Sequence, residues 1–394
     1  MFLTIITFII VFSLLIFVHE LGHFWMARRF GVKAEEFGFG FPPRIFGFQF
    51  LKGSKKWRFI RGSGEAKVEP GEENFPTSTI YSLNWVPLGG FVKIKGENGE
   101  NENETDSFAS RKIWQRAIIL SAGVGMNIIL AAFLISIGLM IGLPQSLDNI
   151  NPSAKVSDRK IQIAEILPDS PAGEAGLMVG DIILDINGQQ LASEAELLQL
   201  VDKQTGNELA YNIKRGSEDL VYRVTPEIRQ ETGRGGIGIA IVSTGLVRLP
   251  WYLAIFEGVK TTAILVWAII LAFYDLLAGL IVGQGLSADV AGPIGIAALT
   301  GQVAEMGFIY ILQFTALLSI NLAIINFFPF PALDGGRVLF LIIEKIKGSP
   351  VKREVEAVIH NIGFSLLMIL VLIVTFKDLA KFGDGFKALW QRIF

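Results

Sequence analysis

The sequence predicts a polytopic α-helical membrane protein with four transmembrane helices, a membrane-associated β-hairpin or sheet region and one extracytoplasmic α+β domain. The first supporting observation is composition, because 51% of the 394 residues are apolar and 18% are charged, against ~25% charged residues in a typical soluble protein. The second is a series of long apolar runs. The third is the pair of polar stretches that separates these runs, one basic and rich in glycine, the other alternating strand and helix patterns.

Residues 1–18 carry no charged side chain, and the first ionisable groups follow where a helix starting at the membrane surface has risen ~27 Å. Residues 1–27 are therefore the first predicted span. A cleaved signal peptide is the alternative, but the segment begins without Lys or Arg and has no small-x-small cleavage site. Three further apolar runs predict spans at 117–143, 306–335 and 358–376.

Basic residues predict the orientation. Arg28 and Arg29 close the first span, and further Lys and Arg residues lie just before the second span and between the third and fourth. Because cytoplasmic loops carry an excess of basic residues, the region 28–116, predicted as a cytoplasmic-side or membrane-reentrant β region, lies inside. The globular domain and both termini are then extracytoplasmic, although the basic tail after residue 376 is at odds with this orientation.

The segment 261–288 is apolar enough to be a further span, with Asp275 at its centre. A crossing here would place Asp334 on the opposite side of the bilayer from His19 and His23, with which it is grouped below. We therefore predict that residues 253–290 form an amphipathic or partly inserted helix at the outer surface. A true span with a buried polar residue is the alternative.

His19-Glu20-Leu21-Gly22-His23 is an H-E-x-x-H pattern, and the chain contains three histidines and no cysteine. On a helix the i, i+4 spacing places both imidazoles on one face, where they can share a zinc ion, and Glu20 is then free to act as a base. Ionisable groups at the end of a membrane span are costly unless they function. The alternative is an interfacial His/Glu group that marks the membrane boundary.

A catalytic zinc site needs a third protein ligand and an open position for water. Asp334 and His360 are the candidates. Asp334 ends the third span, where Pro329 and Pro331 must break the helix. Since the first and third spans run in the same direction, Asp334 reaches the depth of the two histidines, and it is the favoured ligand.

These residues carry a resemblance. His19–His23 together with Asn326, Pro329, Leu333, Asp334 and Gly335 resemble the H-E-x-x-H and N-x-x-P-x-x-x-L-D-G motifs of the site-2 protease family of zinc intramembrane proteases, and Gly123-Val-Gly-Met-Asn127 is similar to its weaker G-x-x-x-N motif. The likeness extends over nearly the whole chain and is strongest to the bacterial branch that includes the sigma-E protease. This chain has room for one PDZ-like module rather than two.

The resemblance implies one zinc ion per chain, a multi-pass protein of the bacterial inner membrane with its active site toward the cytoplasm, and cleavage of single-pass membrane proteins such as anti-sigma factors or signal-peptide remnants. It also implies that Asn326 and Asn127 clamp substrate, with Pro329 in the same motif. Hydrogen bonding between helices is the alternative for both asparagines.

Phenylalanines alternate on either side of Pro42-Pro43-Arg44, which predicts a hairpin with an aromatic face. Such a sheet could dip into the bilayer, and its edge could pair with an extended substrate strand. Packing beneath the cytoplasmic surface is the alternative. The residues are Phe37, Phe39, Phe41, Phe46, Phe48 and Phe50.

Residues 161–229 alternate apolar strands with a helix near 194–204, and the stretch 171–181 is similar to the pattern of PDZ domains. Asp185-Ile-Asn187-Gly188 supplies a tight turn. A PDZ-like domain can bind a peptide by strand addition. Whether this one binds a peptide or instead excludes substrates with bulky outer domains stays open, with the filter favoured.

Charge and motifs limit the other functions. The net charge of −2 excludes a bulk electrostatic affinity for nucleic acid, and no nucleic-acid-binding module is evident. A non-catalytic membrane scaffold with a structural zinc site is the competing hypothesis, but a structural site has no use for Glu20. A zinc transporter lacks a string of ligands across the bilayer.

Overall fold

The computed structural model describes residues 2–51, 55–62, 78–99, 102–148, 150–191, 193–216, 218–229, 233–283 and 291–393. The chain divides into two compact units. Met1–Ile135 and Glu257–Phe394 form the first unit, and Ser136–Phe256 forms the second.

The helices and strands of the described residues follow one another in groups, and the last five elements are all helices. The helices are α1 (Phe2–Arg29), α2 (Ile113–Ile141), α3 (Pro171–Glu174), α4 (Glu194–Lys203), α5 (Trp251–Val282), α6 (Pro293–Met306), α7 (Phe308–Phe327), α8 (Asp334–Lys347) and α9 (Arg353–Ile393). The strands are β1 (Ala34–Leu51), β2 (Lys56–Arg61), β3 (Ile80–Ile94), β4 (Leu143–Ser146), β5 (Lys155–Ile166), β6 (Ile182–Ile186), β7 (Leu209–Arg215), β8 (Glu218–Val224), β9 (Glu227–Ile228), β10 (Gly235–Gly236) and β11 (Ile239–Arg248).

Five helices in the described part of the chain are long and apolar enough to cross a membrane, one more than the sequence prediction counted. Four of them, Leu3–Arg29, Ile113–Ile141, Phe308–Phe327 and Arg353–Ala380, overlap the predicted spans. The fifth, Trp251–Gly279, overlaps the segment expected to be amphipathic at the surface. That expectation was drawn from topology, because a crossing here would separate Asp334 from His19 and His23. The charged residues of α5 are Glu257, Lys260 and Asp275, and the rest of the helix is largely apolar. By length and composition, α5 is a fifth candidate span, and the predicted count of four is not confirmed.

The first unit contains a β-sheet in which β1 lies between β2 and β3. The predicted hairpin is wrong, because the two phenylalanine runs of β1 do not pair with each other. Phe37 and Phe48 both pair with Tyr81, so the first residues of β3 lie between the two halves of β1. Pro42 and Pro43 lack N–H donors and let the chain change direction without a tight hairpin.

The sheet has the predicted aromatic face, which begins against α1 and extends along the sheet away from that helix. Phe37 stacks on Phe24 of α1 with ring centroids 4.6 Å apart, and both rings are buried. Further from α1, Phe48 lies 5.4 Å from Phe59, and Phe59 and Trp57 are exposed. An exposed aromatic surface beside a membrane-length helix fits contact with lipid.

The second unit is an α+β module built on a six-stranded sheet with the order β4-β11-β5-β6-β7-β8. It extends beyond the predicted range 161–229 on both sides, because β4, β11 and the beginning of β5 complete the sheet. Its helix α4 coincides with the helix expected near 194–204. The backbone N–H of Leu249 donates to the carbonyl of Leu139, so the chain leaves the module beside the point where it begins.

The buried carboxylate of Asp181 forms an ion pair with the partly exposed Arg215 within the module. Arg215 holds both carboxylate oxygens of Asp181 at 2.7 Å, and the N–H of Met178 donates to the same carboxylate. Burial alone would raise the pKa of Asp181, but the hydrogen bonds from Arg215 and Met178 outweigh it and hold that pKa below its ordinary value.

Candidate metal centre

The site begins with a close crossing of α1 and α2 at two glycines. A Cβ on Gly22 would lie 2.4 Å from the carbonyl oxygen of Ala122, and a Cβ on Gly123 would lie 2.5 Å from Nε2 of His23. Distances this short leave no room for any side chain. The two helices therefore approach closely enough for the imidazoles of α1 to lie against the backbone of α2.

His19 and His23 lie one above the other on α1, as their spacing predicts. Both are buried, and their Nε2 atoms are 3.1 Å apart. The Nδ1 atom of His23 lies 2.8 Å from the carbonyl oxygen of Ile119 on α2. Because a carbonyl only accepts, Nδ1 carries the proton, and Nε2 of neutral His23 presents a lone pair toward His19.

Asp334, the first residue of α8, completes the group. Its Oδ2 atom lies 2.9 Å from Nε2 of His19 and 3.3 Å from Nε2 of His23. Among the His, Asp and Glu residues that the structure describes, these three form a group that could hold a metal ion. Sequence reasoning left Asp334 and His360 as alternatives, and the structure places Asp334 with the histidines.

The donor set fits a zinc ion. A tetrahedral site with zinc-to-ligand distances of about 2.0 Å has ligand atoms about 3.3 Å apart, close to the three separations here. Lone pairs of two imidazoles and a carboxylate can converge within this triangle, where a metal cation at the centre would be coordinated by all three. Each ring also has a partner for its outer nitrogen, as metal-bound histidines require. For His23 this partner is the carbonyl of Ile119.

Asn127 is the partner of the other ring. Its side-chain amide lies 3.5 Å from Nδ1 of His19, and its Oδ1 is buried without a hydrogen-bond partner. Exchanging the amide oxygen and nitrogen, which is a matter of assignment, would direct that oxygen at the Nδ1–H of a metal-bound His19. Asn127 is fully buried and is absent from the residues described as lining the neighbouring cavity, so its contact is with the ligand His19.

A cavity of about 210 Å³ opens beside two of the three ligands. Glu20 and Asn326 line it together with the ligands His19 and Asp334. The backbone of Val92 on β3 lies close to the Glu20 carboxylate. The rest of the wall is formed by Ile16, Leu322, Ala332 and Leu333.

The remaining sequence candidates lie outside this cavity. Pro329 lies in the loop between α7 and α8 and is not among the described residues of the cavity wall. His360 belongs to α9, and its Nδ1 accepts a hydrogen bond from the N–H of Ala332 at 2.8 Å. Sequence reasoning missed the backbone partners Ile119 and Val92, because no side-chain pattern marks them.

Residues 7–74 and 72–370 match the family described as Peptidase family M50. The chain belongs to peptidase family M50. This membership confirms the predicted site-2 protease family. The chain is therefore a zinc metallopeptidase with helices of membrane-spanning length.

Several M50 relatives match nearly the whole chain. The regulator of sigma-W protease RasP of Bacillus subtilis strain 168 is 32% identical over 96% of this chain and 98% of its own length. A putative zinc metalloprotease of Clostridium perfringens is 35% identical over 94% of this chain and 97% of its own length. The regulator of sigma-E protease RseP of Escherichia coli K12 is 29% identical over 95% of this chain and 98% of its own length.

Among solved structures, the PDZ domain of an SdrC-like protein from Listeria monocytogenes is similar to part of this M50 chain. The two are 26% identical, and the match covers 22% of this chain and 92% of that domain, with a TM-score of 0.20.

Proposed function

We propose that this chain is an intramembrane endopeptidase that uses one zinc ion, held by His19, His23 and Asp334, to hydrolyse peptide bonds in the transmembrane segments of single-pass membrane proteins. The observation that carries the proposal is the convergence of Nε2 of His19, Nε2 of His23 and Oδ2 of Asp334 beside Glu20, on a helix of membrane-spanning length.

The chemistry follows from the side chains around the cavity. Zinc, when bound, polarises the scissile carbonyl and acidifies its water. Glu20, which lines the cavity beside the ligands, takes a proton from that water and passes it to the leaving amine. A structural metal site has no use for such a base, and this favours the enzyme over a scaffold.

A substrate helix hides its carbonyls in its own hydrogen bonds, so cleavage requires that a segment unwind and find new partners. Asn326 lines the cavity and offers amide donors and an acceptor to that segment. We assign substrate binding to Asn326, with Pro329 shaping the loop that follows. Asn127, which contacts His19, is assigned to holding that ligand rather than the substrate.

The sheet beside α1 offers a second contact for an unwound substrate. Within the part of the chain that the structure describes, residues of β3 from Gly90 to Lys93 pair with β1 on one side and have no strand on the other, and Val92 in this edge lies close to Glu20. An extended substrate strand added along this edge would pass next to the catalytic carboxylate.

The orientation that we propose for this inner-membrane protein has the active site toward the cytoplasm and the module and both termini outside. Gly301 packs on Thr4, near the start of α1, which is about 22 Å along the helix from His19. From there α7 must run alongside α1 to bring Asp334 to His19. The chain thus returns to the Thr4 end before α7, so α5 adds no net crossing whether or not it enters the bilayer.

The module acts as a size filter in this proposal, admitting membrane proteins already shortened outside, such as anti-sigma factors or signal-peptide remnants. Peptide binding by the module is the competing role.

The test of the proposal is metal analysis of detergent-purified protein, paired with cleavage of a co-expressed single-span reporter. One zinc per chain is expected in the wild type and in Glu20→Gln, and less in Asp334→Ala. Only the wild type should cleave the reporter. Cleavage by Glu20→Gln at the wild-type rate, or metal-free wild-type protein without activity, would contradict the proposal and favour the scaffold.

A further inference from the structure

The metal ligand Asp334 is reached through a short irregular loop, residues 328–333, between α7 and α8. Pro329 and Pro331 have no N–H to donate. Within the loop, the N–H of Phe330 donates to the carbonyl of Phe328 and that of Leu333 to the carbonyl of Phe330. The N–H of Ala332 instead donates to a side chain of another helix, Nδ1 of His360 on α9, at 2.8 Å.

Ala332 adopts an unfavourable backbone conformation, with φ of 79°. This left-handed region is uncommon for residues other than glycine and persists only where the surroundings hold it. Ala332 lies two residues before Asp334 and also lines the cavity. A change in its dihedral angles would therefore move both the ligand carboxylate and the cavity wall.

The helix α9 supports this loop at two successive turns. Gly363, three residues after His360 and on the same face, has no room for a side chain, because a Cβ there would lie 2.5 Å from the Cβ of Pro331 and 2.6 Å from its carbonyl oxygen. His360 thus contacts Ala332 while Gly363 contacts Pro331. The ring of His360 lies 5.3 Å from the ring of Phe340 on α8, which limits its rotation.

Only one protonation pattern of His360 suits this contact. Nδ1 accepts from a backbone N–H, so the proton of the neutral ring is on Nε2. Nε2 in turn lies 3.8 Å from Oε1 of Glu356, one turn earlier on α9. The carboxylate favours a proton on the facing nitrogen, which leaves Nδ1 free as the acceptor for Ala332.

We propose that His360 is a positioning residue for the metal centre, holding Ala332 in its left-handed conformation so that the carboxylate of Asp334 faces His19 and His23. The inference rests on the proposed function for its catalytic consequence. The contact between His360 and Ala332 does not depend on that function.

Four variants test the proposal. His360→Leu removes the acceptor at similar volume. His360→Asn returns an oxygen at the position of Nδ1, whereas His360→Gln carries its oxygen further from the backbone, near the position of Nε2. Ile362→Ala, an exposed position of the same helix, is the matched control.

The first readout is hydrogen exchange of peptides covering 328–336 in metal-free, full-length protein. We expect the Ala332 amide to exchange at least about tenfold faster in His360→Leu and His360→Gln, and at the wild-type rate in His360→Asn and Ile362→Ala. The second readout is the affinity for Co²⁺, measured by its visible absorption. We expect roughly 10- to 100-fold weaker binding in the Leu and Gln variants, with kcat reduced more than KM is changed.

Equal exchange in the wild type, His360→Leu and His360→Gln would overturn the proposal, as would a His360→Asn variant as impaired as His360→Leu. If the Leu variant does not fold, the Gln and Asn variants alone decide. Wild-type protein that neither binds Co²⁺ nor cleaves would contradict the proposed function instead, while the exchange comparison would still decide the role of His360.

Discussion

Gly123 lies directly against His23, so that a Cβ on the glycine would lie 2.5 Å from the Nε2 atom that faces Asp334. The same Cβ would lie 2.7 Å from Nε2 of His19. The imidazoles of His19 and His23 thus occupy the space that a side chain at position 123 would need. This relationship gives the first residue of the G-x-x-x-N motif a physical reason, and Asn127 one turn later contacts the outer nitrogen of His19.

We expect Gly123→Ala to abolish or strongly weaken metal binding. The added methyl group overlaps both Nε2 positions, and the ligands cannot move aside while α1 and α2 stay in contact at Gly22. Zinc content and Co²⁺ affinity measure the effect. Gly125→Ala on the same helix is the control, because a Cβ there meets no atom within 4 Å. A Gly123→Ala protein with full zinc content would contradict the close approach described here.

Asn326→Ala should lower turnover while zinc content stays intact. The side chain lines the cavity, and zinc is ligated by His, Cys, Asp and Glu rather than by a neutral amide, so we expect its loss to remove a substrate contact and spare the metal. Reporter cleavage and metal analysis on the same preparation separate the two effects. Asn321→Ala is a matched control, since the Asn321 amide is exposed and bonds the carbonyl of Leu317 within α7. Loss of zinc in Asn326→Ala would instead indicate a structural role.

Asn127→Leu should weaken metal binding, in contrast to Asn326→Ala, which should spare it. Removing the partner of a metal-bound histidine typically weakens metal affinity roughly 10- to 100-fold, and we expect that loss here with KM for the reporter changed little. Titration with Co²⁺ measures it. An Asn127→Leu protein with wild-type Co²⁺ affinity and a raised KM would assign Asn127 to the substrate.

Asp181→Asn should destabilise the module by about 2 kcal/mol, because it removes the charged partner of Arg215 from a hydrogen-bonded pair. The pKa of Asp181 is lowered in the folded state. Its stabilising contribution is therefore complete above the unfolded pKa of about 4 and is lost as the pH falls through the folded pKa. Hydrogen exchange of β6 and β7 in the full-length protein, measured against pH, checks both expectations. The exposed Asp219→Asn is the control, and equal exchange in the two variants would contradict the prediction.

Replacing residues 143–248 by a short Gly-Ser linker should leave the metal centre intact. The N–H of Leu249 bonds the carbonyl of Leu139, so the linker has only a small gap to close. If the module is a filter, this variant cleaves single-span reporters whose outer domain is still intact, and the wild type does not. Unchanged selectivity, with zinc still bound, would count against the filter and favour peptide binding.

The ligands were predictable from local and topological patterns. The spacing of His19 and His23 needs only the helical repeat, and Asp334 follows from a helix broken by proline at matching depth. The partners that orient these ligands were not predictable in the same way. Ile119 and Val92 act through backbone groups, and Asn127 and His360 act through contacts that depend on how the helices cross.

The β region shows a different limit. The alternation of phenylalanines correctly indicated an aromatic face, because side-chain alternation is local to a strand. Pairing is not local. The start of β3, from Ile80, inserts between the two halves of β1, and no pattern within 37–50 reveals a strand that comes from thirty residues further along. The helix α5 shows the same limit. Its length and apolar content are local properties, and they do not tell on which side of the membrane each of its ends lies.

The bond between Leu249 and Leu139 also bears on how such proteins diversify. A module whose two ends meet can be lost, exchanged or doubled without displacing the helices that carry the chemistry. If the module filters substrates as we propose, selection on this filter can act separately from selection on hydrolysis. Lineages that share the metal centre would be expected to differ most in what they carry at this junction.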